Sequence, residues 1–429
     1  MSKSVAVIVA VALALLLAAC KGGDGDTSNL KANIRFVHVS PDTDAVNIIY
    51  DSATVVTSLG YHGATPYQAL DWGSKEVKVQ SAATGATYSD ATISPTFQGY
   101  YTYLLFGGGS SMSTLLLSDS VADADSGKFY LRAANVATGI GSVDIYLLSA
   151  GTTIDQVAPT FSSLAYGGTA TFTQFTAGDY SLVVARAGSK DVIYDSGKQT
   201  AAAKAKVTLL VYATGSGKLV NGALLYSDTS GTTTFIDSSL ARFKFVNAAT
   251  DIGSVDVLVD GSVALANIPY GLLSAYNTLA AGNRNFKIQA SSSPGAYVYN
   301  QNTTLATATD NSLVAYSVQG TGSAGLIALT DNNLPPVSGK VKLRLVNASS
   351  DTAAYDAYVN FSKLLSGLAQ GTASAYQQLD PGTYTVTFTP AGTTTQAASL
   401  TLQLDVGHVY TVYTYGRVSS LAVATTTDY

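Results

Sequence analysis

The sequence predicts an all-β protein, a tandem array of four Ig-like antiparallel β-sandwich domains behind an amino-terminal signal peptide. Three observations carry this prediction. One spacing pattern recurs four times along the 429 residues, which indicates a unit copied in tandem. The composition is rich in Tyr, Thr, Val and Gly, whereas glutamate occurs only at Glu76. Short apolar runs separated by turn signals favour a sandwich over alternating strands and helices.

The recurring pattern is a basic residue, Asn or His three positions later, and Asp or Asn twelve positions later. Its copies are Arg35/His38/Asn47, Arg132/Asn135/Asp144, Lys244/Asn247/Asp256 and Arg344/Asn347/Asp356. Each copy is followed by an aromatic residue six positions before a glycine, in the pairs Tyr67/Gly73, Phe172/Gly178, Tyr276/Gly282 and Tyr376/Gly382. We therefore expect four domains, units 1 to 4, over residues 32–124, 126–237, 240–334 and 339–429.

The amino terminus has the composition of a secretory signal peptide over residues 1–19. Lys3 precedes an apolar run of 15 residues, which is shorter than the roughly 20 that a membrane helix needs. The run ends in residues 17–20, LAAC, which resemble a bacterial lipobox. That resemblance implies that Cys20, the only cysteine, carries the lipid, and Lys21 after it implies export to the outer membrane. Residues 20–31 are Gly- and Asp-rich after the cysteine and predict a flexible tether.

Strand signals follow in order within unit 1. Residues 34–39 are a β-rich run that ends at a Ser-Pro-Asp turn, and residues 46–50 and 77–80 alternate in polarity. A glycine run at 107–109 predicts a closing hairpin between 101–106 and 114–117. Equivalent hairpins are predicted to join 207–212 to 223–226, 313–318 to 325–329, and 409–415 to 420–425. Unit 2 carries an insertion around residues 149–162.

These segments resemble an exported bacterial family, domain of unknown function 4397. Residues 344–348 (RLVNA) match its first strand, and residues 380–384 (DPGTY) match its glycine turn. Residues 268–271 (IPYG) match its central motif, at which unit 4 has Gln370 in place of tyrosine. The resemblance implies β-sandwich domains and supplies no catalytic residues.

The acid and the base of each pattern suggest a structural role. If the first two strands form a hairpin, these two residues face each other. We therefore expect cross-strand pairs worth about 0.2–1 kcal/mol each when exposed, namely Arg132–Asp144, Lys244–Asp256 and Arg344–Asp356. The Asn between them suits a turn, because its amide can bond nearby backbone groups.

Aromatic residues are the candidate recognition residues. Tyrosines six positions apart on a strand-like segment point to one face, where they either stack on a ligand or belong to the core. The candidates are Trp72, Tyr61, Tyr67, Tyr270 and Tyr276. Trp72 has no counterpart in the other units, which carry Ala177, Ala281 and Pro381 there.

The sequence predicts no catalytic site, no cofactor and no metal site. His38 and His62 take slots that hold Asn or Gly in the other units, so neither serves a repeated catalytic role. Oxygen ligands for Ca²⁺ cluster in sequence at two places, but the six or more ligands and the EF-hand residues are missing. The two sets are Asp42, Asp44, Asn47 and Asp51, and Asp251, Asp256 and Asp260. Only 12% of residues are charged and the net charge is −5, which disfavours nucleic acid as a partner.

We therefore expect a non-catalytic envelope lipoprotein held at the membrane through Cys20. Its tandem domains would make structural, adhesive or protein–protein contacts with an envelope protein or a glycan. The main alternative is an array of carbohydrate-binding modules that captures glycans, and a hydrolase is a weaker one. The sequence leaves open whether the domains face the periplasm or the medium.

Overall fold

The computed structural model of the chain describes residues 31–108, 111–214, 218–228, 231–318, 320–350 and 354–428. The predicted signal peptide, Cys20 and most of the tether lie outside these residues. The described part is built of β-strands, with two short 3₁₀ helices at Ile154–Gln156 and Val418–Ser420. The all-β prediction is confirmed. Within the described ranges, no helix is long and apolar enough to cross a membrane.

Unit 1 is a sandwich of two sheets. Its strands are β1 (Lys31–His38), β2 (Val46–Tyr50), β3 (Ala53–Leu59), β4 (Gly63–Ala64), β5 (Gln68–Asp71), β6 (Lys75–Ser81), β7 (Thr87–Ile93), β8 (Tyr100–Gly108) and β9 (Ser111–Ser118). The first sheet has the order β4-β1-β8-β9, with β5 also paired to β1, and the second has the order β3-β2-β6-β7. Apolar side chains of both sheets, such as Phe36, Ile48 and Val79, fill the space between them.

Units 2 to 4 follow the same plan. Unit 2 contains β10 (Lys128–Val136), β11 (Val143–Ser149), β12 (Phe161–Leu164), β13 (Thr173–Thr176), β14 (Gly178–Arg186), β15 (Val192–Ala201), β16 (Lys206–Ala213), β17 (Val220–Tyr226) and β18 (Thr233–Ile236). Unit 3 contains β19 (Leu240–Ala248), β20 (Val255–Val259), β21 (Ser262–Ile268), β22 (Asn277–Ala280), β23 (Gly282–Ala290), β24 (Tyr297–Leu305), β25 (Asp310–Val318) and β26 (Ser323–Asp331). Unit 4 contains β27 (Val341–Ser349), β28 (Ala354–Val359), β29 (Ser362–Ala369), β30 (Thr372–Ala373), β31 (Gln377–Leu379), β32 (Gly382–Pro390), β33 (Ala398–Leu404), β34 (Val409–Gly416) and β35 (Ala422–Thr427).

Each unit departs from a purely antiparallel sandwich at one place. Its first strand pairs in parallel with its penultimate long strand, as in β1–β8, β10–β16, β19–β25 and β27–β34. The predicted closing hairpins form as antiparallel neighbours, namely β8–β9, β16–β17, β25–β26 and β34–β35. The insertion of unit 2 holds the 3₁₀ helix Ile154–Gln156.

The units associate in two pairs through the outer faces of their first sheets. Val37 and Leu104 of unit 1 share an apolar cluster with Val136 and Leu210 of unit 2. A second cluster joins units 3 and 4, with Val246, Val314, Val346 and Tyr413 among its members. The first sheets are thus covered on both faces, which explains why β1 and its equivalents are nearly continuous buried runs rather than alternating ones.

Candidate functional site

The predicted cross-strand pairs do not form, and that interpretation is corrected. Arg132 lies on β10 of the first sheet, whereas Asp144 lies on β11 of the second sheet. The two strands follow one another in sequence but cross between layers, so they are not hairpin neighbours. Lys244 and Asp256 are separated in the same way, as are Arg344 and Asp356.

The acid of each pattern, or Asn47 in unit 1, instead accepts a backbone hydrogen bond at a β-bulge in the second sheet. Asp144 Oδ1 accepts a hydrogen bond from the Ser163 N–H at 2.7 Å, and Asp256 Oδ1 accepts one from Asn267 at 2.8 Å. Asp356 and Asn47 do the same for Gly367 and Ser58 at 2.9 Å. All four donors have positive φ, where the strand register shifts. A short side chain with a free acceptor is what such a bulge needs.

The Asn of the pattern ties the first strand to a loop, in agreement with the turn role expected for it. Asn135 donates from Nδ2 to the carbonyls of Gly141 and Leu164 at 2.9 and 3.0 Å. Its Oδ1 accepts from the Ala137 N–H at 3.1 Å. Asn247 repeats this arrangement, and Asn347 keeps most of it.

Three of the four basic residues meet a carboxylate of the neighbouring unit, and Arg35 meets Asp119 of its own unit. Arg132 of unit 2 donates from Nη2 to Asp119 Oδ1 of unit 1 at 2.6 Å. In the other pair, Arg344 donates to Asp331 of unit 3 at 2.5 Å, and Lys244 donates to Asp428 of unit 4. These side chains are 6% exposed or less, so the charges are removed from water and held by one another. We call Arg35, Arg132 and Asp119 cluster 1–2, and Lys244, Arg344, Asp331 and Asp428 cluster 3–4.

The aromatic residue of the pattern covers the cation. Tyr67 lies 4.9 Å from the Arg35 guanidinium, and Phe172 lies 4.3 Å from that of Arg132. Tyr276 lies 5.0 Å from Lys244 Nζ. The hydroxyls of Tyr67 and Tyr276 donate to Asp119 and Asp331 at 2.6 and 2.5 Å. Burial, reinforced by these carboxylates, raises the pKa of both phenols well above the ordinary range.

Four of the five candidate recognition residues therefore lie at contacts between units. Besides Tyr67 and Tyr276, the Tyr61 hydroxyl donates to the Ala213 carbonyl of unit 2 at 3.1 Å. Tyr270 packs edge to face on Tyr415 of unit 4 at 5.4 Å. Only Trp72 stands apart from these junctions, 45% exposed and 6.4 Å from the Phe97 ring.

Apart from Asp42, the clustered acids of the sequence each have a protein partner of their own. Asp44 accepts from Ser81 at 2.5 Å, Asp51 pairs with Lys75, and Asp251 pairs with Arg417. Over the residues that the structure covers, no group of three or more His, Cys, Asp or Glu side chains is arranged to hold a metal ion.

Sequence reasoning missed two further features. Phe361 lies in the tight turn between β28 and β29 and is 96% exposed. A cleft of about 690 Å³ lies between the two pairs, lined by Asp42, Tyr166, Lys342 and Tyr376. Aligning the repeats would have found the first, because the equivalent turns read Asp51-Ser52 and Asp260-Gly261. The second depends on packing between distant units and leaves no local signal.

These observations define an array of β-sandwich units that associate in pairs through buried charge clusters. The chain belongs to the family described as Domain of unknown function (DUF4397), whose model matches residues 32–146, 241–354 and 342–429. Most of unit 2 lies outside the matched segments. No curated protein matches the chain.

Solved structures resemble the chain only distantly. The Bacillus anthracis TIE protein is 9% identical with a TM-score of 0.17; the match covers 86% of this chain and 65% of that protein, just under two thirds of its length. A streptococcal virulence factor that binds α-glucan is 8% identical with a TM-score of 0.16, over 43% of this chain and 93% of that one. A family 26 carbohydrate-binding module from Eubacterium rectale, solved with maltoheptaose, is 13% identical with a TM-score of 0.16, over 48% and 96%. Similarity this low supports no functional argument.

Proposed function

We propose that this chain is a non-catalytic lipoprotein of the bacterial envelope that presents its β-sandwich units for adhesive contact with other proteins. The repeated polar residues support a role as a scaffold, because their side chains bond other residues of the chain and hold the units together. Contact then belongs to features that are not repeated. Phe361 is the observation that carries the proposal.

The backbone at Phe361 makes it a costly place for an aromatic ring. Asn360 and Phe361 have φ values of 46° and 68°, a turn that favours Asn-Gly because both residues are left-handed. Unit 3 has Gly261 there, and unit 1 has the small Ser52. A non-glycine residue in this conformation costs about 1–2 kcal/mol, and the ring gains no burial in return. Strain together with an exposed apolar side chain is typical of a contact residue.

The test replaces Phe361 by the residues of the other units. Phe361→Ser copies unit 1 and removes only the ring, and Phe361→Gly copies unit 3. We expect Phe361→Gly to raise the unfolding free energy by roughly 0.5–1 kcal/mol, because the relief of strain exceeds the added chain entropy. Both variants should lower adhesion of cells that display the protein several-fold, to protein-coated surfaces and to neighbouring cells, at equal surface amounts.

Protease shaving of intact cells completes this test. Cleavage of the body would agree with contact outside the cell, whereas full protection would contradict adhesion. Unchanged adhesion of both variants would remove Phe361 from the contact and leave the scaffold without its main support. A matched control is Val263→Ser in unit 3, which removes another exposed apolar side chain, 58% accessible, from a strand rather than a strained turn.

The membrane part of the proposal is supported by two exposed aromatic rings beside the first strand. Lys31, eleven residues after Cys20, pairs with Asp71 at 2.6 Å, and its carbonyl accepts from Gln98. Trp72 and Phe97, exposed by 45% and 40%, adjoin these partners, and aromatic rings of this kind favour the membrane interface. Because Trp72 is the only tryptophan, its fluorescence should be quenched by brominated lipids in vesicles that hold the lipidated protein. A Cys20→Ala variant should show neither quenching nor vesicle association.

A further inference from the structure

The cleft between the two pairs gathers side chains from all four units, with Asn332 contributed by the end of unit 3. Asp42 comes from the loop after β1 of unit 1, Tyr166 from unit 2, and Lys342 and Tyr376 from unit 4. Its volume of about 690 Å³ is within the usual range for sites that bind small molecules. Ser113 and Gln378 add a hydroxyl and an amide to its lining.

Lys342 is a buried cation that unit 4 leaves without a carboxylate. Its side chain belongs to a residue that is only 5% exposed, and its Nζ donates to Asn332 Oδ1 at 3.0 Å. The equivalent cation of unit 3, Arg242, pairs with Asp310 beside it at 2.6 Å. The register partner of Lys342 is Val409. Among the described residues, no carboxylate oxygen lies within 4.0 Å of Lys342 Nζ.

Tyr376 contributes its ring to the cleft, 5.7 Å from Lys342 Nζ, while its hydroxyl is enclosed by protein. Its counterparts Tyr67 and Tyr276 both donate to aspartates. The hydroxyl of Tyr376 is buried and has no hydrogen-bond partner among the described residues. Since Asp428 is already bound by Lys244 and Thr411, the repeat leaves this phenol unsatisfied.

Charge at neutral pH favours an anion here. Removal from water lowers the pKa of Lys342 to about 8, while Asp42 across the cleft acts in the opposite direction. The ammonium form therefore still predominates at pH 7, and it is weakly hydrated. A bound carboxylate would supply the counter-charge that Asp310 supplies in unit 3.

We propose that this cleft binds a small monocarboxylic acid that also carries hydroxyl groups, such as a uronic acid sugar. The carboxylate would accept from Lys342 Nζ, beside the Tyr376 ring. The hydroxyls would meet Ser113 and Gln378, and the 42% exposed ring of Tyr166 offers an apolar face to a sugar ring. The exposed Asp42 at the mouth disfavours ligands with several negative charges.

This site is separate from the Phe361 contact and from the lipid anchor, so it can be tested on its own. Calorimetric titration of the full mature chain in detergent should detect binding of glucuronate. Glucose, which lacks the carboxylate, and inorganic phosphate, which carries more charge, should bind at least tenfold more weakly. Affinity for glucuronate should fall as the pH rises from 7 to 9, because Lys342 loses its proton.

Four variants locate the interaction. Lys342→Met should weaken glucuronate binding about tenfold or more, as expected for loss of a charged hydrogen bond. Tyr376→Phe removes a hydroxyl that the cleft does not reach, so it should leave the affinity nearly unchanged. Asp42→Asn should strengthen it, because a repelling charge is removed. Lys206→Met is the matched control, since this lysine lines a different cleft, of about 980 Å³, and already pairs with Asp123 at 2.9 Å.

Several results would overturn the proposal. They are the absence of binding heat with glucuronate, equal affinity for glucose, or full affinity in Lys342→Met. Thermal unfolding of each variant shows that it is folded, and Lys342→Met is expected to be at least as stable as the parent at pH 7. If Asp42→Asn weakens binding instead, the two side chains form a contact between the pairs and the cleft is not a ligand site.

Discussion

Buried charged side chains join the units in both pairs, but the number of charges differs between the two junctions. Cluster 3–4 holds two cations and two carboxylates, and each cation reaches the carboxylate of the other unit. Cluster 1–2 holds two arginines around the single carboxylate of Asp119. The residue equivalent to Asp119, Asp331 and Asp428 is Ser227 in unit 2, two positions beyond Leu225 in the same register. The first junction is one negative charge short.

The difference shows how neighbouring positions adjust to one another within the repeats. Arg35 has no carboxylate of its own, because it shares Asp119 with Arg132. It therefore also donates from Nη1 to the carbonyls of Tyr226 and Gly231 at 2.9 and 3.0 Å. In unit 1 the Tyr67 hydroxyl donates to Asp119, but the equivalent residue of unit 2 is Phe172, which has no hydroxyl. Burial and the nearby Arg35 lower the pKa of Arg132, against the effect of Asp119. Burial acts to lower the pKa of Arg344, but Asp331, Tyr376 and Tyr413 together outweigh it, so this pKa is raised instead.

The largest expected effect is the loss of the shared carboxylate. Asp119→Asn leaves two buried arginines with no carboxylate, and we expect it to lower the unfolding free energy by about 3–5 kcal/mol. Asp331→Asn should cost less, because Asp428 remains in cluster 3–4. Urea unfolding of the full mature chain measures both. Hydrogen exchange should show faster opening of units 1 and 2 in the first variant and of units 3 and 4 in the second.

The difference in cost between Asp119→Asn and Asp331→Asn tests whether the sharing of Asp119 by two arginines matters for stability. If Asp331→Asn costs as much as Asp119→Asn, then each carboxylate acts on its own cation alone, and sharing in cluster 1–2 has no energetic weight. Asp71→Asn serves as a control, since Asp71 forms the exposed pair with Lys31, and such pairs contribute at most about 1 kcal/mol.

Pair 3–4 should carry a pH dependence of its own on the alkaline side. Lys342 has a folded-state pKa of about 8, below the 10.5 of an ordinary lysine. Below pH 8 Lys342 is protonated in both the folded and the unfolded chain, and the burial of its charge destabilises the folded chain. Between pH 8 and 9.5 the unfolded chain keeps a proton that the folded chain has released, so stability should rise by roughly 1–2 kcal/mol.

Lys342→Met should abolish this rise, and the difference between the two proteins isolates it. As the pH approaches 10 the buried tyrosines lose protons first from the unfolded chain, and because both proteins carry these tyrosines, their contribution cancels in the difference. Urea unfolding at several pH values gives the comparison. A rise of equal size in Lys342→Met would assign the effect to another group.

A smaller effect is expected from adding the missing carboxylate to cluster 1–2, which would make its charges resemble those of cluster 3–4. Ser227→Asp adds the missing carboxylate beside Arg35, and we expect a gain of about 1 kcal/mol in the unfolding free energy. Phe172→Tyr alone leaves its new hydroxyl without an aspartate and should give nothing. Together the two changes should stabilise by more than their sum, which a double-mutant cycle measures as coupling. Strict additivity would show that the two positions vary independently.

These contrasts also show what the sequence can and cannot reveal. The fourfold spacing, the alternation of polarity and the glycine turns predicted the β-sandwich array and its closing hairpins, because these depend on neighbours along one strand. The partner of Arg132 could not be predicted in this way. Its base and acid follow each other in the chain but lie in different sheets, and Asp119 comes from another unit. The exposure of the tyrosine candidates could not be predicted for the same reason, since contacts between units decide it.

The smallest expected effect separates unit 1 from the other three. His38 takes the slot of Asn135, Asn247 and Asn347 and is fully buried. Its Nδ1 accepts from the Ser40 N–H at 3.3 Å, a bond that protonation would break. Burial lowers the pKa of His38, although Asp44 opposes this. As the pH falls below 6.5 the unfolded chain binds a proton that the folded chain resists, so stability is lost on the acid side, by about 1 kcal/mol or less near pH 5.5.

His38→Asn tests this with the residue that the repeat itself provides. The variant should flatten the acid limb between pH 6.5 and 5.5 and should slow hydrogen exchange in unit 1 at pH 5.5, while units 3 and 4 stay unchanged. His408→Asn, at an exposed position of unit 4, is the control and should alter neither. His62 stacks on Phe235 at 5.0 Å and its pKa is also lowered by burial, so some acid sensitivity should remain in pair 1–2. An acid limb that is unchanged in His38→Asn would show that the histidine is stabilised in both protonation states, and the acid sensitivity of the first pair would then belong to His62.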